Sequence, residues 1–122
     1  MINYLFFFKK FDTIINCAAT TSGSKDITQK PYLHVTDNAI MNAKILQAAY
    51  DAKIKHFCFF SCTVMYPTNK KNGVKESDFK SYSQIHPNYF GVASTKLYIE
   101  KLCEFYSKIS SCKFTVIRHS NI

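Results

Sequence analysis

The hydrophobic pattern alternates short apolar runs with longer amphipathic ones. Residues 12–19, DTIINCAA, form a short apolar run with two adjacent isoleucines, which predicts a buried strand. TTSGSKD then interrupts it with turn residues. Between about Thr36 and Ala52, residues Ala39, Ala43, Leu46 and Tyr50 recur at steps of four, three and four, which predicts one face of a helix. Thr36 or Asp37 is placed to cap its start. HFCFFSC, 56–62, predicts a second buried strand, and 67–87, with Pro67, Gly73 and Pro87, predicts a loop with little regular structure. A second helix is expected from about Asn88 to Lys108, with Tyr98, Leu102, Phe105 and Ile109 on one stripe. KFTVIRHS, 113–120, predicts a third strand.

No hairpin turn separates consecutive strands. Helical connections between strands imply parallel pairing through right-handed crossovers. Strands that are apolar throughout suit a parallel sheet covered on both faces. The expected class is therefore α/β: part of a Rossmann-like doubly wound sheet, with about three strands and two to three helices. Such sheets bind ligands at the carboxyl ends of their strands. Those ends are NCAATTSG, SCTVMY and RHSNI.

Composition narrows the partners. The 122 residues suit one domain, and 47% hydrophobic with 16% aromatic residues supplies a core and argues against disorder. No apolar run reaches the roughly 18 residues that a membrane span needs. In MINYLFFFKK the positive charges follow the apolar block, the reverse of a secretory signal. Cys17, Cys58, Cys62, Cys103 and Cys112 are odd in number and lack C-x-x-C spacing, which suits reduced thiols in the cytoplasm. The net charge of +8 is scattered among QK, DAKIKH, NKKNGVK and STK, with no basic face interleaved with aromatics, so no nucleic-acid partner is expected. His34, His56, His86 and His119 lack metal-ligand spacing, and no metal site is expected.

Several segments together resemble the nucleotide-sugar epimerase, dehydratase and reductase group of the extended short-chain dehydrogenase/reductase family, with GDP-fucose-synthase-like enzymes nearest. FDTIINCAA resembles the family's fourth strand, and DNAIMNAKILQAAYDAKIKHFCFFSC its Asn-led helix and fifth strand. SCTVMYP resembles the Ser/Thr motif ending in Tyr and Pro or Gly. STKLYIEKLCEFY resembles the helix with the active lysine and a glutamate four residues on, and IRHSNI the start of the sixth-strand motif. The resemblance covers about residues 11–122. The family opens with a glycine-rich pyrophosphate turn, whereas the only glycines here are 23, 73 and 91. The chain is accordingly expected to be one partial NAD(P)-binding domain, an internal fragment lacking that turn and the C-terminal substrate part. Its isolated affinity for NAD or NADP is expected to be weak or absent. A nucleotide-diphosphate sugar is the implied substrate of the full-length parent, and a homodimer is an open expectation.

The resemblance also implies roles. A tyrosine moves a proton at the sugar oxygen, a lysine four residues on lowers its pKa and holds the nicotinamide ribose, and a Ser or Thr hydroxyl orients the substrate. A phenol with a pKa near 10 needs a neighbouring cation to act as a base at neutral pH. Lys96 falls in the lysine slot, but Val92 stands where the tyrosine belongs. Tyr89, seven residues before Lys96, returns to nearly the same helical face and is a displaced replacement or a packing residue. The hydroxyl slot is Cys62, a poor hydrogen-bond donor, flanked by Ser61 and Thr63, of which Thr63 is slightly preferred. Ala18, Ala19, Asn38 and Lys96 are the cofactor-side candidates; Asn38 would bridge backbone groups beside the site, cap its helix or serve as a structural amide. A non-catalytic relative serving as a binding or scaffold protein is the competing reading, supported by Val92 and Cys62.

Overall fold

A computed structural model describes residues 4–21, 25, 29–67 and 73–120. Helix α1 (Tyr4–Phe8) precedes β1 (Thr13–Asn16), followed by α2 (Pro31–Asp51) and β2 (His56–Cys62). Three 3₁₀ turns (Glu76–Asp78, Tyr82–Gln84, Pro87–Tyr89) lead into α3 (Phe90–Ile109), and β3 (Lys113–His119) closes the series. The strands form one parallel sheet in the order β1-β2-β3, with Thr13 opposite His56 and His56 opposite Lys113. This is a partial Rossmann-like α/β fold. Gly23, the far end of the TTSGSKD turn and the final Asn121 and Ile122 lie outside the described residues.

Strand positions agree with the apolar runs; helix limits and faces differ. Helix α2 starts at Pro31, whose fixed φ suits a first helical turn and whose missing N–H costs nothing there. Thr36 and Asp37 consequently lie inside the helix and cap nothing. The side of α2 turned inward carries His34, Asn38, Asn42, Ile45, Leu46 and Ala49, while Tyr50 is exposed. Polar residues at 34, 38 and 42 concealed that side from a hydrophobic count. Helix α3 begins at Phe90 rather than Asn88, because Pro87–Tyr89 winds as a 3₁₀ turn. It buries Ala93, Leu97, Ile99 and Cys103. The expected stripe Tyr98, Phe105 and Ile109 faces solvent instead, with Leu102 partly buried beside the core.

The main core joins Ile14, Phe57 and Phe59 to Ile45, Leu46, Ala49, Ile99 and Cys103. Both long helices therefore cover the same side of the sheet. At the α2–α3 contact, a Cβ on Gly91 would stand 2.9 Å from Val35 Cγ2, so the absent side chain permits the approach. A second cluster, Met65, Tyr66, Ile85, Ala93 and Leu97, seats the segment after β2 on α3.

The expectation of a sheet covered on both sides does not hold among the described residues. Ile15 alternates with buried Ile14 and Asn16, and Ile117 with half-buried Val116 and Arg118; Ile15 is 65% and Ile117 39% exposed. With half-buried Phe60 between them, they form an apolar strip on the far side. Both outer strand edges also carry unpaired backbone groups among the described elements. The isolated chain should therefore self-associate. Sedimentation velocity is expected to show oligomers that Ile15→Lys with Ile117→Lys reduces; a cooperatively folded wild-type monomer would contradict this.

Candidate active site

The carboxyl ends of the strands carry two polar assemblies. The first shapes the segment after β1. Asn16 Nδ2 donates to Asn42 Oδ1 at 2.7 Å, and Asn16 Oδ1 accepts from the Ala18 amide at 3.1 Å. Asn42 Nδ2 donates to the Asn38 carbonyl at 2.8 Å. Asn38 Oδ1 accepts from the Thr20 amide at 2.8 Å, and its Nδ2 donates to the carbonyls of Thr20 (3.0 Å) and His34 (2.7 Å). Asn38 thus bridges backbone groups of α2 and the segment after β1, as a structural amide also would, and caps no helix end. Ala18 and Ala19 remain exposed on the pinned segment.

The second assembly follows β2. The Tyr66 amide donates to the Thr63 carbonyl at 3.1 Å and closes a turn. Thr63 lines a cleft of about 510 Å³ with Val64, Tyr66, Pro67, Val74, Tyr89 and Ser120. The structure therefore brings Thr63 and Tyr89 to one cleft. The 3₁₀ turn holds Tyr89 just outside α3, its amide donating to the His86 carbonyl at 2.9 Å. A count of seven α-helical steps to Lys96 accordingly does not describe its direction.

Ser61 and Lys96 are not among the residues lining that cleft. Ser61 is fully buried and donates to Glu100 Oε1 at 2.5 Å. Lys96 Nζ donates to the Phe60 carbonyl at 2.8 Å and lies 4.8 Å from the Phe59 ring centre. Burial lowers the Lys96 pKa, against the raising influence of the Cys62 and Cys17 thiols and Glu100. Burial likewise raises the Cys62 thiol, opposed by the Val64 backbone N–H and by Lys96. Cys62 is thus poorly suited to act as a thiolate. Val92 is half-buried in the slot one turn before Lys96.

Residues without an assigned role in the sequence reading complete the arrangement. Arg118 Nε donates to Glu100 Oε1 (3.0 Å) and Oε2 (3.3 Å), Nη2 to Oε2 (2.7 Å), and Nη1 to Tyr66 Oη (2.9 Å). Glu100 holds the Arg118 pKa above its ordinary value. An arginine directly after the FTVI stretch of a strand expected to be buried was the signal, since a buried charge demands a partner. Asn16 and Asn42 gave no comparable signal, because each reads as an ordinary polar residue. Among the described residues no cluster of His, Cys, Asp or Glu could hold a metal ion.

A family model for the NAD dependent epimerase/dehydratase family matches residues 3–122. The chain belongs to that family. It is 27% identical over 115 residues to a UDP-glucose 4-epimerase of Lactobacillus helveticus, covering 93% of this chain and 32% of that protein. Among solved structures, an NADP-bound GDP-mannoheptose C4 reductase from Campylobacter jejuni matches with TM-score 0.81 and 21% identity, over 97% of this chain and 38% of that one. An NADP-bound GDP-L-fucose synthetase from Naegleria fowleri matches with TM-score 0.78 and 22% identity, over 96% of this chain and 37% of that one. At these identities the structural likeness shows the fold. The chain spans about a third of the length of these relatives.

The asparagine assembly yields a direct test. Asn38→Ala removes partners from the Thr20 amide and carbonyl. It should cost about 1–3 kcal/mol, the usual penalty when a partly buried hydrogen-bonding group loses its partner. Residue-resolved hydrogen exchange should show lost protection at Thr20 with the Phe57 and Phe59 amides still protected. Unchanged exchange at Thr20 would mean that Asn38 does not hold the segment.

Proposed function

We propose that this chain is part of an NAD(P)-dependent nucleotide-sugar epimerase, dehydratase or reductase. In this reading Thr63 and Tyr89 handle the sugar oxygen, and Lys96 serves the phenol and the cofactor. The observation that carries the reading is the convergence of the Thr63 turn and Tyr89 on one cleft at the strands' carboxyl ends. A nucleotide-diphosphate sugar is the substrate class, and family membership supports it.

The residues after β1 fit a flat nicotinamide or adenine ring. Ala18 and Ala19 are small and exposed, and Asn38 fixes the backbone beside them. When bound, NAD or NADP would accept or supply the hydride. The chain's own residues would govern the proton. Thr63 donates a hydrogen bond to the substrate oxygen, and the Tyr89 hydroxyl takes or gives the proton. Lys96 has two N–H bonds left beyond that to the Phe60 carbonyl, available to a phenolate or a ribose hydroxyl. Buried lysine charge favours a nearby anion, which favours ionisation of a phenol brought beside it. The exposed apolar stripe of α3, Tyr98, Phe105 and Ile109, supports a homodimer as the assembly.

Two experiments test this reading. Calorimetric titration of the isolated chain with NAD(H) and NADP(H) is expected to show weak or no binding; a micromolar Kd, about −8 kcal/mol, would place a complete cofactor site within these residues. In an active polypeptide of the relatives' length containing this segment, Tyr89→Phe should lower turnover by about 10²–10⁴-fold, the usual contribution of a general acid–base group. Cofactor affinity should stay nearly constant in that variant, Lys96→Ala should damage both, and Val92→Tyr should raise activity. Full activity of Tyr89→Phe would remove Tyr89 from the chemistry.

A further inference from the structure

Glu100 stands one helical turn beyond Lys96. Its two oxygens accept hydrogen bonds from Ser61 on β2 and from Arg118 on β3. The Glu100 and Arg118 side chains are only 13% and 19% exposed. With its acceptor positions so occupied, the carboxylate has little left to offer a substrate. Arg118 continues the chain of contacts to Tyr66 Oη, and its guanidinium lies 5.6 Å from the Tyr66 ring centre. The Tyr66 amide in turn closes the turn bearing Thr63. On the other side, Lys96 is tied to Phe60, the residue before Ser61. Helix α3 therefore grips two successive residues at the end of β2, through Lys96 and Glu100.

We propose that Glu100 is a positioning residue that sets the placement of Lys96 relative to the Thr63 turn, acting through Ser61, Arg118 and Tyr66. Its importance to activity rests on the roles proposed above for Thr63 and Lys96. Its mechanical role is separable from them. Buried ion pairs are replaceable by apolar pairs of similar volume with little loss of stability. An apolar pair cannot, however, reproduce directional bonds to a serine hydroxyl and a phenol. If the pair served stability alone, its apolar replacement would restore every property. A positioning role predicts that stability returns while the turn remains loose.

Cys62, between Ser61 and Thr63 and half-buried, is a built-in reporter of that turn. Pulsed iodoacetamide labelling, resolved by peptide mass spectrometry, reads its accessibility, with exposed Cys17 as the internal reference. The purified 122-residue chain would be compared with Glu100→Gln and with Glu100→Leu/Arg118→Met, each also followed by thermal unfolding. Besides burial, the Glu100 charge raises the Cys62 thiol pKa, so each labelling rate is divided by the thiolate fraction taken from its own pH profile. So corrected, Glu100→Gln should accelerate Cys62 labelling relative to Cys17 by about tenfold, as when local opening becomes about 1.4 kcal/mol easier. The double variant should regain thermal stability and still label fast at Cys62. Wild-type labelling at Cys62 in the double variant would overturn the proposal, as would an unchanged rate in folded Glu100→Gln. Should Glu100→Gln fail to fold, the double variant decides alone. Because the readout needs no turnover, fast labelling combined with full activity of Tyr89→Phe would sustain the brace and reject the catalytic assignment.

Discussion

A carboxylate and a guanidinium meet between α3 and β3, and their hydrogen bonds reach β2 through Ser61 and the segment after it through Tyr66. Isolated, either charge would be costly in so enclosed a place. Together, with the Ser61 and Tyr66 hydroxyls as additional partners, they are well satisfied. The hydrophobic core holds the helices against the sheet but specifies their rotation and axial position loosely, because apolar contact has no direction. Hydrogen bonds to named oxygens do specify them. The Glu100–Arg118 pair thus complements the packing of Phe57, Phe59, Leu46 and Ile99.

The asparagines of α2 play a similar part beside β1. Asn16 and Asn42 are buried, where an unmatched amide would be unfavourable. Their mutual bond, and the bonds from Asn42 to the Asn38 carbonyl and from Asn38 to Thr20, extend helical order into an irregular segment. Each strand end is consequently shaped by a polar side chain reaching over from a helix. The two helices act as templates for the loops, in addition to covering the sheet.

Strand positions were legible because short apolar runs such as II in TIIN and FCFF in HFCFFSC are of strand length and end in polar or turn residues, even though one side of the sheet stays open. Helix faces were less legible. His34, Asn38 and Asn42 point inward on α2, so the expected face there was rotated, with Leu46 inside but Tyr50 outside, while on α3 Tyr98, Phe105 and Ile109 point outward. The family motifs placed Thr63, Lys96 and Asn38 near the strand ends. They gave no warning that Ser61 faces Glu100 inside the protein while Thr63, which shares its side by strand alternation, is turned away because β2 ends at Cys62 and a turn begins. The 3₁₀ turn at Pro87–Tyr89 was hidden for a related reason: a count along an assumed α-helix cannot register a local change of winding.

The parallel order of the sheet has a consequence for how the chain folds. Each strand must wait for an intervening helix before it meets its neighbour, so no sheet hydrogen bond forms between residues close in sequence. Loop closure comes first, and strand pairing offsets its entropy only afterwards. Formation of α2 and α3 shortens those closures. Within these residues the β1–β2 pairing cannot form until α2 and β2 have followed β1. Until then the edge of TIIN that faces β2 is open, and pairing with another copy of the chain competes with its proper partner there.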